Sequence, residues 1–236
     1  MQSEILRDNY PPSTSTRGSA LRSSMSSKVL GIDWTQYFPY SFETQNCVAE
    51  YVTALEGLAF IRKYYNEIHL EQGQFQEQEE GSEEAPFLSY YKEDFTEAKV
   101  RYYEELGDFF LVKQGGDPVG VIVGTLTDWS TYNFRSSSFL RKFQGSGIHT
   151  KLLAYAIKIL KFHGVVRAEA DANPSNFATL QVLTRSRFNI TGINLSERWG
   201  ALVHFTQYLQ EEPANCFQKH FCSGPKWSKK IRIQKS

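Results

Sequence analysis

The spacing of apolar and polar residues changes period along this chain, and the change divides it. Over residues 46–70, Val48, Tyr51, Val52, Leu55, Leu58, Ala59 and Ile61 recur at roughly helical spacing, which predicts one long helix. Residues 87–106 predict a second, with Phe95, Ala98 and Tyr102 on one side. After Gly107 the period shortens. Residues 108–113 read as a strand, 114–117 as a glycine turn, and 118–127, rich in Val and Ile, as the returning strand of a hairpin. Residues 131–140 give a third strand. A turn, Gln144-Gly145-Ser146-Gly147, leads into an amphipathic helix over about 148–163, closed by Gly164. Residues 165–172 predict a fourth strand. Its parallel pairing with the third, through the helix, would be a right-handed crossover. A further helix over 173–186 and two late strands, 188–194 and 201–208, complete the pattern.

The flanks look different. Residues 9–28 carry Pro11-Pro12, many serines, three basic residues and no acid, so residues 1–30 are expected to form a disordered tail. That composition also resembles a transit peptide, although Glu4 and Asp8 stand at its front; a start at Met25 is a third reading. Residues 31–44 crowd Trp34, Tyr37, Phe38, Tyr40 and Phe42 into an irregular stretch, expected to pack on the body as an arm. Residues 72–84 are rich in Gln and Glu without a basic residue. They read as a solvated loop or, functionally, as an acidic lid for a cationic amine. The stretch from Pro213 to the end has no acid and reads as a basic surface extension. The expected division is therefore a tail over 1–30, a domain over 31–210 and an extension over 211–236.

Composition narrows the function. With 41% hydrophobic and 14% aromatic residues among 236, the chain can bury a substantial core. A formal net charge of zero argues against a dedicated nucleic-acid binder. No apolar run approaches the roughly 20 residues that span a bilayer. Three scattered cysteines, Cys47, Cys216 and Cys222, fit idle thiols in a reducing compartment and a cytoplasmic protein. Cys216, His220 and Cys222 match no common zinc spacing, so no metal is expected.

The chemistry concentrates at residues 139–153. A strand, a glycine turn and a helix place unpaired backbone N–H groups and the positive end of a helix dipole at one point. Such an end binds anions, most often phosphate, and glycine lets a ligand approach the backbone closely. Phe139, Leu140, Gln144, Gly145, Ser146, Gly147, Ile148 and His149 are the candidate binding residues.

The order of elements and this turn resemble the GCN5-related N-acetyltransferase (GNAT) superfamily over roughly residues 107–208. In the places of the family signature, Gln or Arg, two residues, Gly, one residue, Gly or Ala, stand Gln144, Gly147 and His149, with Ile148, Leu152 and Leu153 in the apolar places around and after it. Asn176 and Phe188 stand at the spacing of a second family feature, an Asn with a Gly-Phe twelve residues on. The resemblance implies a mixed α/β (α+β) fold, a mostly antiparallel sheet with one parallel, splayed strand pair, flanked by helices. It implies an acyltransferase that moves an acetyl group from acetyl-CoA to the amine of a small molecule or peptide, and it leaves a homodimer open. The turn would hold the pyrophosphate, Phe139 and Leu140 the pantetheine arm, and Asn176 would join the cofactor site.

Departures from the pattern are informative. His149 replaces a small residue and is expected to turn outward on the first helical turn. Leu183 stands where the family often has a tyrosine acid, Arg187 replaces a glycine, and the third strand lacks a carboxylate. The base must therefore come from elsewhere. Glu169 and Asp171 share one face of the fourth strand and are the leading candidates, with Asp128 and His204 behind them. Tyr155 and Tyr208 are available as acids without a spacing argument. The alternative is a catalytically weak or inactive CoA-binding or regulatory protein.

Overall fold

A computed structural model describes residues 30–42, 46–64, 94–196 and 199–222. Eight strands form one sheet in the order β1-β2-β3-β4-β5-β6-β8-β7. They are β1 (Tyr40–Phe42), β2 (Cys47–Val52), β3 (Gly107–Gln114), β4 (Asp117–Asp128), β5 (Thr131–Phe139), β6 (Arg167–Ala172), β7 (Asn189–Ser196) and β8 (Gly200–Tyr208). The helices are α1 (Ala54–Lys63), α2 (Asp94–Leu106), α3 (Ile148–Phe162), α4 (Phe177–Arg185) and α5 (Glu211–Phe217). Every neighbouring pair is antiparallel except β5 with β6, which is parallel, as the crossover through α3 requires.

The hairpin β3–β4, the turn before α3 and the late strand pair lie where the sequence places them. The first predicted helix does not. Cys47 to Val52 form a strand against β3, and the helix begins only at Ala54. The burial of Cys47, Ala49 and Tyr51 alternates with half-exposed Val48 and Glu50, a period of two that the helical count obscured. The boundary is chemical: Thr53 accepts the Glu56 N–H, and the Glu56 carboxylate accepts the Thr53 N–H, a reciprocal cap that starts α1. In α2 Tyr103 packs on Phe109, whereas Ala98 and Tyr102 are exposed; the side chain of Phe95 lies outside the described residues. The disordered-tail and acidic-lid expectations, and the extension beyond Cys222, lie outside the described residues. Within the extension, α5 and the π-helical turn Gln218–Cys222 return to the body, where Phe217 meets Tyr208 at 5.0 Å.

The sheet has two faces with different neighbours. Phe110 lies against Trp34 and Phe38, and Phe38 meets Tyr155 of α3. Phe109, on the opposite face, packs on Gly57 of α1 and Tyr103 of α2. The arm over 31–42 thus belongs to the α3 side, with Trp34 only 1% exposed. Among the described residues one carboxylate is fully buried on that side. Asp108 accepts the hydroxyls of Tyr51 at 3.1 Å and Tyr132 at 3.0 Å, which compensates its removal from water.

Candidate functional site

The glycine turn is fixed by its own hydrogen bonds. Phe143 N–H bonds Leu140 C=O at 2.8 Å, Gln144 N–H bonds Arg141 C=O at 3.1 Å, and the Ser146 hydroxyl bonds Phe143 C=O. Gly145 (φ 69°) and Gly147 (φ 83°) occupy the left-handed region that disfavours a Cβ, and nothing lies within 4 Å of where a Cβ would stand on either. Gly147 is the N-cap of α3 and contributes no side chain to the cap. The first intrahelical bond runs from Lys151 N–H to Gly147 C=O, so the N–H groups of Gly147, Ile148, His149 and Thr150 have no intrahelical acceptor. No acid stands in the first turn. Donors, dipole and open space over two glycines fit a bound phosphate-like anion.

His149 does not turn outward. It is half-buried, with its ring 5.5 Å from that of Phe139, and burial lowers its pKa to about 4. At neutral pH it is an uncharged ring packed on the strand.

Beside the turn the sheet forks. β5 and β6 pair only at Thr131 with Arg167, Tyr132 with Ala168 and Asn133 with Glu169; beyond these the two strands share no register. Leu140 N–H bonds the directly opposite Val119 C=O at 3.0 Å, so in an antiparallel ladder Phe139 and Ser137 turn their N–H and C=O away from β4, toward the fork. Leu140 is otherwise occupied, because its C=O also accepts Phe143 N–H. The Gln144 amide donates to Phe139 C=O at 3.1 Å, tying the strand end to the turn. Ser137 is thus a fork-lining residue that the sequence reading missed, since its direction depends on the β4 register. Asn176 caps α4, its side-chain oxygen accepting Thr179 N–H at 3.1 Å.

The carboxylates of β6 sit on the face opposite α3. Ala168, Ala170 and Ala172 are buried toward α3, at 0%, 4% and 4% exposure, so Glu169 and Asp171 point to the other side. Across the β6–β8 ladder Asp171 stands opposite His204 and Glu169 opposite Thr206. His204 Nδ1 lies 2.9 Å from Asp171 Oδ1, and its Nε2 lies 3.9 Å from Glu169 Oε1. Asn194 of β7 donates to the same Asp171 oxygen at 2.8 Å. Glu169 is the last β6 residue paired to β5, so this group stands at the fork itself. On β5 the same face carries Arg135, whose Nε donates to the Tyr103 hydroxyl at 3.1 Å.

The other candidates are committed elsewhere. Asp128 caps the β4–β5 turn through Ser130 N–H at 2.7 Å and meets Arg167 at 3.3 Å. Its slight burial raises the pKa, but the Ser130 N–H, the Thr131 and Ser130 hydroxyls and Arg167 together lower it on balance. Tyr155 is buried and donates to Tyr37 C=O at 2.7 Å, and Tyr208 packs on Phe217. Leu183 is 2% exposed, a core residue of α4. Among the described residues no cluster of His, Cys, Asp and Glu is arranged to hold a metal ion, and no helix is long and apolar enough to cross a membrane.

The forked parallel pair and the open glycine turn at its mouth agree with what the comparisons find. The model of the acetyltransferase (GNAT) family matches residues 61–187, and the chain belongs to that family. Ribosomal-protein-S5-alanine acetyltransferase from Vibrio fischeri superposes with a TM-score of 0.51 at 16% identity, covering 73% of this chain and 98% of that one. A protein assigned to the GNAT family from Desulfovibrio desulfuricans gives 0.51 at 13% identity, over 70% of this chain and 99% of that one. A GNAT family acetyltransferase from Elizabethkingia anophelis, whose structure has acetyl-CoA bound, gives 0.43 at 18% identity, over 54% and 93%. No curated protein matches the chain.

Proposed function

We propose that this protein is an N-acetyltransferase that moves the acetyl group of acetyl-CoA to the amine of a small molecule or peptide. The observation that carries the reading is the pairing of an open, donor-rich turn at Gly145–Gly147 with a fork between β5 and β6 that begins at Asn133 and Glu169. The N–H groups of residues 147–150 would hold the pyrophosphate, with Gln144, Ser146 and Ile148 fixing the turn's shape. Phe139 and Ser137 would pair with the pantetheine amides along the fork, and buried Leu140 and half-buried His149 would back that wall. Asn176, at the head of α4, would reach the cofactor only through its amide N–H2, since its oxygen caps the helix. Holding thioester and amine together removes much of the entropic barrier of a bimolecular step. The proton leaves the amine toward the Glu169 and Asp171 side of the fork, the side away from α3.

A second reading has its own observation. Leu183 is buried where the family often has a tyrosine, and β5 presents no carboxylate. A CoA-binding protein with weak or absent transfer would look like this. No nucleic acid, membrane or metal enters either reading. A cytoplasmic location suits a chain whose three cysteines are few and widely spaced. A homodimer remains part of the proposal, to be read by sedimentation. Calorimetry with acetyl-CoA and thiol release over an amine panel decide between the readings. Binding with transfer supports the first, and binding without transfer supports the second. No binding at high micromolar ligand removes both.

A further inference from the structure

The group of Glu169, Asp171, His204 and Asn194 has an internal asymmetry. Asp171 as a carboxylate can only accept hydrogen bonds, so the 2.9 Å contact puts the His204 proton on Nδ1. Asn194 Nδ2 lies 3.2 Å from the same ring nitrogen and 2.8 Å from Asp171 Oδ1, so both donors converge on one carboxylate oxygen. With Nδ1 protonated, Nε2 of the neutral ring carries a lone pair. It faces Glu169 Oε1 at 3.9 Å, an acceptor opposed to an acceptor. Two acceptors at that separation both reach a single nitrogen donor placed about 2.9 Å from each. The side chains of His204, Glu169 and Asp171 are 20%, 16% and 28% exposed, half-buried and still reachable. The second, independent feature is position: Glu169 is the residue at which β6 parts from β5.

We propose that His204 Nε2 and the Glu169 carboxylate together seat the ammonium group of a primary-amine acceptor, with His204 as the proton acceptor and Asp171 as its positioning residue. This rests on the acetyl-transfer reading and deepens it. The seated ammonium gives one proton to Nε2. The freed lone pair attacks the thioester carbonyl carbon, and the C–N bond forms. Collapse breaks the C–S bond and leaves its electron pair on sulfur. The nitrogen's second proton goes to that sulfur through water, giving the free thiol, and His204 releases its proton to solvent. Among the described residues the charged groups facing His204 are Glu169 and Asp171 from β6; β7 contributes the neutral Asn194 and no charged residue.

The test uses the full-length protein with ethanolamine, spermidine, tyramine and a free-N-terminus peptide as probes, over pH 6 to 9. Acetyl-CoA affinity is expected to be unchanged in every variant, since none touches the glycine turn. His204→Gln is expected to lower kcat about hundredfold near neutrality, the loss shrinking as pH rises and solvent supplies free amine. Asp171→Asn lowers kcat about tenfold and shifts the pH profile, a change that lost packing alone does not produce. Glu169→Gln raises KM more than it lowers kcat. Wild-type kcat and pH profile in His204→Gln overturn the proposal while leaving acetyl transfer standing. If wild type binds no acetyl-CoA, the underlying reading fails and the proposal with it. If wild type binds acetyl-CoA but acetylates none of the probes, ¹⁵N spectra of the histidine rings decide. A neutral Nδ1–H ring for His204 at pH 7.5, shifted by added ethylammonium, supports the seat. An Nε2–H ring, or one doubly protonated up to pH 8.5, overturns it as a structural ion pair.

Discussion

At the scale of single residues, charge and shape at the turn can be separated. Gly147 sits at φ 83°, where Asn and Asp are the best tolerated non-glycine residues. Gly147→Asn and Gly147→Asp add nearly the same volume and the same backbone strain, but only the second adds negative charge. Acetyl-CoA binding by calorimetry is expected to be weaker in the Asp variant than in the Asn variant by about tenfold or more, roughly 1.4 kcal/mol. Equal affinities would place the pyrophosphate elsewhere. His149 makes a different statement, about stability. Burial lowers its pKa to about 4 from an ordinary value of 6.5, so between these pH values the unfolded chain holds a proton that the folded chain does not. The unfolded state binding more protons means stability rises with pH across this window and falls as pH drops through it. Urea midpoints at pH 7 and 4.5 should therefore differ less in His149→Phe than in wild type. The motif residues were legible in the sequence because glycines at a strand–helix junction are local features. The burial of His149 was not, since it depends on Phe139 lying alongside.

At the scale of elements, α4 ends in a way that its sequence resists. Arg187 N–H bonds Thr184 C=O and Phe188 N–H bonds Leu183 C=O, both at 3.0 Å, with Arg187 at φ 67°. This is a left-handed helix stop of Schellman form, and buried Leu183 and Phe188 supply its hydrophobic contact. Arg187 is exposed, so nothing in the core requires its side chain. Arg187→Gly should stabilise the protein by about 1 kcal/mol, read as a rise of a few degrees in Tm. An unchanged or lower Tm would mean that the arginine side chain offsets its strain. At the position where the family resemblance leads one to expect a tyrosine, Leu183 is buried and closes the helix from inside. Elements were also where the sequence misled. Val48, Tyr51, Val52 and Leu55 fit a helical period, yet β2 exists because β3, more than fifty residues on, pairs with it. A short apolar run cannot declare its partner. The Thr53–Glu56 cap was the local signal that a helix starts only at Ala54.

At the scale of the whole molecule, the site depends on contacts that no local pattern contains. His204 meets Asp171 across 33 positions through the β6–β8 register, which is why two carboxylates on one strand were legible and their histidine partner was only one candidate among several. The aromatic arm is a second such contact. Trp34 is 1% exposed against Phe110, Phe38 and Tyr132, so the arm bridges the middle of the sheet to α3. From there Tyr40 stacks on Tyr155 at 4.0 Å, the Tyr155 hydroxyl returns to Tyr37 C=O, and the Tyr37 hydroxyl meets His163 at 2.8 Å. The arm therefore clamps the helix whose N-terminus forms the proposed anion site. Trp34→Ala removes a large buried ring and should cost about 3–5 kcal/mol in denaturant unfolding. Because the clamp holds α3 along its length rather than at Gly147, the surviving folded fraction should still bind acetyl-CoA with wild-type affinity. Weaker binding per folded molecule would instead show that the arm sets the angle at which α3 meets the fork. Tyr155→Phe separates the two cases, since it removes the hydroxyl that donates to Tyr37 while keeping the stacked ring. On the clamp account it should lower stability by about 1 kcal/mol and leave affinity untouched.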